Sequence, residues 1–185
     1  MRPTELLMEE HRAIERMLRI VEEVCRRLEA GQDVPAGDLE AIVEFIQVFA
    51  DRCHHGKEED LLFTEMEKAG IPRQGGPIGV MLVEHEQGRA HVRAVKEAVA
   101  AYKAGDRSVI PTIVRNALGY VSLLQQHIYK EDNILYRMAD MHLSEEQERQ
   151  LLEGFERVEQ ERIGPGRHEA FHALLDRLEQ TYVHS

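Results

Sequence analysis

Two ten-residue stretches, HHGKEEDLLF beginning at His54 and HIYKEDNILY beginning at His127, repeat one pattern 73 positions apart. In each, a histidine is followed four residues later by a glutamate and then by apolar residues. An internal duplication constrains the fold more than any other feature here, because it makes the chain two copies of one structural unit. The repeat extends upstream: Glu10-His11 in EEHRAIE matches Glu84-His85 in VEHEQGR, 74 positions on. Each half therefore supplies a lone histidine and then a His-x-x-x-Glu pair.

Around these motifs apolar residues recur at spacings of three and four, without strand-like alternation, so the regular elements are expected to be helices. The first is predicted from about Thr4, read as its N-cap, to Gly31, with Leu7, Ile14, Leu18, Val21, Cys25 and Leu28 on one stripe. The second runs from about Asp38 to Ala69, stopped by Gly70 with Pro72 beyond. The third begins near Pro77 and ends at Gly105; the fourth begins after Ser108, accommodates Pro111 in its first turn and reaches about Met141. Such helices read as an all-α, up-down-up-down four-helix bundle over residues 1–143. Ser144 with Gln147 makes a capping box for a fifth helix to about Arg162. GPG at residues 164–166 breaks it, and a sixth helix covers Arg167–Tyr182. Residues 144–185 are expected as a C-terminal helical appendage packed on the bundle.

Composition narrows the partners. Lys and Arg total 23 against 34 Asp and Glu, a net charge of −11. Nucleic acid and anionic membranes both require a basic face, so neither is expected. No apolar run is long enough to span a membrane. The N-terminal MRPTELLMEEHR lacks the apolar stretch and cleavage site of a signal peptide. Cys25 and Cys53 are too few for a disulfide framework, and the expected location is the cytoplasm.

The ten histidines carry the functional argument. His11 falls on the stripe of Leu7, Ile14 and Leu18, and His85 continues Ile78 and Leu82. His54 with Glu58 follows Ile46 and Ala50, while His127 with Glu131 follows Ala117, Tyr120 and Leu124. All six are thus expected to point inward. Counted from the nearest loop, the four histidines lie at similar distances along their helices and share a layer. A histidine and its i+4 glutamate occupy one face one turn apart, so each pair can chelate one cation or bridge two. One inward histidine is more often a hydrogen-bonded core residue than a ligand. Four at one level, two with i+4 glutamates, are not independent accidents. A nitrogen and oxygen donor set with room for exogenous ligands suits iron or manganese better than a closed, sulfur-rich zinc site.

At this point the sequence resembles the hemerythrin-like, or HHE cation-binding, family, on the combination of His11, His54 with Glu58, His85, and His127 with Glu131 over about residues 4–141. The resemblance implies a bundle holding two non-haem iron ions, oxo- or hydroxo-bridged, able to meet dioxygen, peroxide or nitric oxide. Oxygen-carrying members have a second histidine four residues after the one on the third helix, where this chain has Arg89. They also end the last motif in an aspartate five residues after its histidine, and Asp132 stands there. Glu131 is preferred as the ligand because it repeats Glu58. Arg89 is expected either to face the open side of the metals, binding an oxygen species, or to pair with Glu15, its offset partner; the alternative is a bridge to another carboxylate.

Other candidates are weaker. His55 and Glu59 lie about 100° round the helix from the motif. Of Tyr120, Tyr129 and Tyr136, Tyr120 is the best phased for a vacant coordination position. Cys53 reads as a packed residue. HEAFH at residues 168–172 fits the zinc-protease pattern but has no third ligand or cleft; His168 or Glu169 is expected instead to cap the bundle end near the metals. The leading functional expectation is a di-iron protein that binds or reduces a small oxidant. The rival is a non-catalytic sensor, store or carrier of iron or oxygen.

Overall fold

The computed structural model describes residues 1–184, which form six helices and no strand. Helix α1 spans Pro3–Glu29. Helix α2 covers residues 36–68, with two π-helical stretches, Ile46–His55 and Glu58–Leu62, set into it. Helix α3 is Pro77–Lys103. Helix α4 covers residues 107–142 and includes the π turn Glu131–Leu135. Helix α5, residues 145–163, ends in the π turn Glu159–Ile163, and α6 is Arg167–Tyr182. Among these residues no helix is long and apolar enough to cross a membrane.

The first helix begins earlier than the sequence suggests. Pro3, with its fixed φ, occupies the first turn, and the Glu5 side chain accepts from Arg2 N at 2.8 Å. Thr4 is therefore inside the helix rather than its cap, and its hydroxyl donates to Asp140 at 2.7 Å, tying α1 to the end of α4. The capping box at Ser144 and Gln147 is present, Gln147 N donating to Ser144 Oγ at 3.2 Å. Gly164 and Gly166, at φ of 97° and 79°, turn the chain between α5 and α6 where a side chain would be strained.

In the up-down-up-down bundle, α1 packs against α2 and α4, and α3 against α2 and α4. Its core has two apolar clusters. One holds Ile14, Leu18, Val21, Val43, Phe49, Val99, Ile113, Val121 and Leu124; the other holds Leu7, Leu62, Phe63, Met66, Ile78, Met81, Leu135 and Tyr136. On every helix the histidine and glutamate positions fall between the two clusters, in a polar layer sealed by apolar residues above and below. The C-terminal helices join both clusters: Phe171, Leu175 and Leu178 enter the first, Leu151 and Phe155 the second. Gly154 on α5 lets that helix approach α2, for a Cβ there would stand 3.0 Å from Leu61 Cδ1.

Phe155 is 1 % exposed, so Phe155→Ala is expected to cost about 3–5 kcal/mol of stability. Chemical denaturation measures this, and a cost under about 1 kcal/mol would mean that α5 contributes little to the core.

Candidate metal centre

Five buried histidines meet in the polar layer, each oriented by a carboxylate on its Nδ1. His11 donates to Asp132 at 2.6 Å, His54 to Glu10 at 2.9 Å, and His55 to Asp51 at 3.2 Å. His85 donates to Glu59 at 2.6 Å and His127 to Glu84 at 2.9 Å. A carboxylate on Nδ1 fixes the tautomer and leaves Nε2 as the free donor. In every case Nε2 faces the interior.

Glu58 and Glu131 stand between these nitrogens. Glu131 Oε1 lies 2.8 Å from His127 Nε2 and 3.3 Å from His11 Nε2. Glu58 Oε1 lies 3.4 Å from His54 Nε2 and 3.6 Å from His85 Nε2. Each carboxylate thus reaches one histidine from either half of the chain. None of the seven residues is more than 4 % exposed. His54 Nε2, His55 Nε2, Glu58 Oε1 and both oxygens of Glu131 have no partner in hydrogen-bond geometry. A buried polar atom left so costs about 1–3 kcal/mol, and cations between these atoms would satisfy all of them. Their ligand atoms gather into two groups, His11, His54 and Glu131 in one and His55, Glu58, His85 and His127 in the other. The donor set fits two cations, with the glutamates shared.

Protonation shows how the layer balances its charge without metal. Burial and the neighbouring charge of Glu131 push the Glu58 pKa well above the usual carboxylate range. Burial would raise Glu131 too, but His127 and the contacts from Glu58 and His11 outweigh it and keep Glu131 ionised. Burial opposes a charge on His127, yet Glu131 and Glu84 raise its pKa to about 9; Asp132 and Glu131 raise His11 in the same way. Burial lowers His54 to about 4 and pushes His55 and His85 down.

The sequence-predicted residues divide clearly. His11, His54, Glu58, His85, His127 and Glu131 come together. His55 joins them, its ring stacked on that of His85 at 3.8 Å between centroids. Asp132, the alternative to Glu131, instead holds His11 and pairs with Arg12. Of the readings for Arg89, the bridge to other carboxylates is the one present, and the pairing with Glu15 is not formed. Arg89 bonds Asp51 at 2.9 Å, Glu59 at 2.8 Å and Glu86 at 2.5 Å, while Glu15 pairs with Arg12 at the surface. Three nearby carboxylates outcompete a distant one, so Arg89 braces the partners of His55 and His85 rather than facing the centre.

Tyr136 is the tyrosine at the site: it is fully buried, and its Oη donates to Glu58 Oε2 at 3.0 Å and lies 3.4 Å from His11 Nε2. Tyr120 lines a cavity of ≈ 170 Å³ behind His55 and His85, and Tyr129 is exposed. Cys53, Glu10 and Glu159 also gather, but the Lys57 ammonium lies among them, 2.7 Å from Glu10 and 2.8 Å from Glu159, so that cage already holds a cation. His168 lies 3.6 Å from Glu159 and against Phe49, outside the polar layer, with Glu169 in the same surface cleft.

Residues 2–139 match the hemerythrin HHE cation binding domain. The chain is also 28 % identical over 172 residues to uncharacterised proteins of Mycobacterium bovis and Mycobacterium tuberculosis, covering 93 % of this chain and 66 % of theirs. It therefore spans just under two thirds of the length of these curated relatives. No solved structure matches.

Bound cations must displace the protons that the raised groups, Glu58, His11 and His127, keep to higher pH than usual. Metal affinity is thus expected to rise with pH, through about 9 for the part that His127 contributes as it loses its proton. Loading the metal-free chain in weak buffer with a pH indicator should show proton release, and loading without release would refute this assignment.

Proposed function

The chain belongs to the hemerythrin HHE cation-binding family, and on that footing we propose that its polar layer holds two iron ions and that the protein binds or reduces a small oxidant, dioxygen, peroxide or nitric oxide. The observation that carries this reading is the convergence of five Nε2 atoms on two shared carboxylates. A donor set of nitrogen and oxygen without thiolate suits iron or manganese better than structural zinc. Two adjacent irons, when bound, supply redox change and open coordination positions for a small molecule.

The chain's own residues make the two positions unequal. His55, His85 and His127 offer three nitrogens, whereas His11 and His54 offer two. Were Glu58 and Glu131 shared between two cations, the His11 and His54 side would keep the open position for the small molecule. Tyr136 Oη stands there, and burial together with Glu131 and Glu58 pushes its pKa well above the ordinary value, so it keeps its proton and can donate a hydrogen bond.

His55 also strengthens the rival reading. It supplies a third nitrogen to the side where Arg89 replaces the second histidine of oxygen carriers, so the donor count no longer weighs against reversible binding. Anaerobic reduction followed by oxygen separates the two readings. A stable, reversible oxygenated spectrum supports carriage, and rapid irreversible oxidation or peroxide turnover supports an enzyme.

Glu58→Ala combined with Glu131→Ala is expected to abolish two-metal occupancy by metal analysis; retention of both ions would mean that other residues share them. Tyr136→Phe should keep both ions and alter the stopped-flow rate with peroxide or nitric oxide, and unchanged kinetics would remove Tyr136 from the reaction.

A further inference from the structure

A fully buried ammonium lies outside the ligand set. Lys57 is 0 % exposed, and its Nζ donates to Glu10 Oε2 at 2.7 Å and to Glu159 Oε1 at 2.8 Å. The other oxygen of Glu10 accepts from His54 Nδ1 at 2.9 Å. Glu159 belongs to α5, beyond the residues 2–139 that match the family domain. A chain of charge-assisted hydrogen bonds therefore runs from α5 through Lys57 and Glu10 to a candidate ligand. An ammonium removed from water is costly unless fully paired, and this one is paired at both ends.

The second repeat has the same parts with a different ending. Lys130, the counterpart of Lys57, pairs with Glu84, which accepts from His127. The Lys130 side chain is 34 % exposed, so that branch ends at water rather than at a second carboxylate.

We propose that Lys57 and Glu159 are positioning residues through which the C-terminal helix α5 sets the donor strength of His54, and so the affinity of the metal position shared by His11 and His54. The inference rests on the two-metal reading of the layer. A carboxylate on Nδ1 makes an imidazole a better donor, and such outer partners are worth about 10- to 100-fold in metal affinity. Lys57 withdraws charge from Glu10 and weakens that help, while Glu159 draws Lys57 outward and restores it. Removing Glu159 and removing Lys57 should therefore act in opposite directions, which loss of structural support would not produce.

The test uses the full chain loaded anaerobically with ferrous iron in competition with a chromophoric chelator. Glu159→Gln is expected to weaken one of the two iron equivalents by about 10-fold, and Lys57→Met to tighten the same one. Arg162→Ala, which removes the bridge from α5 to Asp60 without touching the relay, should change neither. Shifts of the same sign, equal shifts of both equivalents, or no shift would overturn the proposal. If Lys57→Met does not fold, Glu159→Gln against Arg162→Ala decides it alone. In the metal-free chain the His54 Nδ1 proton resonance should move upfield in Glu159→Gln and downfield in Lys57→Met. That readout holds even if the wild-type chain takes up fewer than two irons, an outcome that would sink the two-metal reading by itself.

Discussion

Four hydrogen bonds from imidazole Nδ1 to carboxylate close a ring around the bundle. His11 on α1 bonds Asp132 on α4, His127 on α4 bonds Glu84 on α3, His85 on α3 bonds Glu59 on α2, and His54 on α2 bonds Glu10 on α1. Each helix gives one carboxylate and receives one, so the rotation of every helix about its axis is set by both neighbours. Apolar packing alone tolerates slippage between similar side chains; a ring of directional, charge-assisted bonds does not. Convergence of the free nitrogens follows from that closure. His55 is held differently, by Asp51 on its own helix, with Arg89 bracing the aspartate.

The ring is nearly two-fold symmetric, and its departures lie where chemistry and attachment need them. Ile128 stands in the second repeat where His55 stands in the first, so nitrogen donors are unequal on the two sides. Phe63 faces the His85 ring as Tyr136 faces the His11 ring, and only one of these two positions carries a hydroxyl. Gly56 occupies the position of Tyr129, and a Cβ there would come within 3.1 Å of Arg162 Nη1. The missing side chain admits α5 to the first half of the molecule, while Tyr129 leaves the corresponding face of the second half uncovered.

Much of this was legible in the sequence, and the exceptions have two causes, a local distortion of the helices and pairing between them. Long runs of three-and-four spacing need only local geometry to be read as helices, and the duplicated His-x-x-x-Glu together with the repeated lone histidines, His11 and His85, located six residues of the layer. His55 escaped that logic because an ideal helix turns it about 100° from His54. The π-helical stretch Ile46–His55 advances each residue by less rotation, bringing both histidines inward; π turns of this kind recur at functional sites. Tyr136 was hidden by the same distortion, lying five residues after Glu131 across the π turn Glu131–Leu135. Glu10 and Glu84 were visible as the residues before His11 and His85. That each serves a histidine on a neighbouring helix is a tertiary fact, which no local spacing encodes. The readings of Arg89 stayed open for a related reason, since nothing local ranks Asp51, Glu59 and Glu86 above Glu15.

The sealing of the polar layer has a kinetic consequence. With apolar clusters on both sides and no candidate ligand more than 4 % exposed, the way in lies through the cleft lined by Asp51, His55, His85 and Arg89. A cation entering there would meet the Arg89 guanidinium, held by Asp51 and Glu59, so its passage would depend on that side chain moving aside. Cations held in such a layer would then trade places with those outside slowly, past one guarded opening.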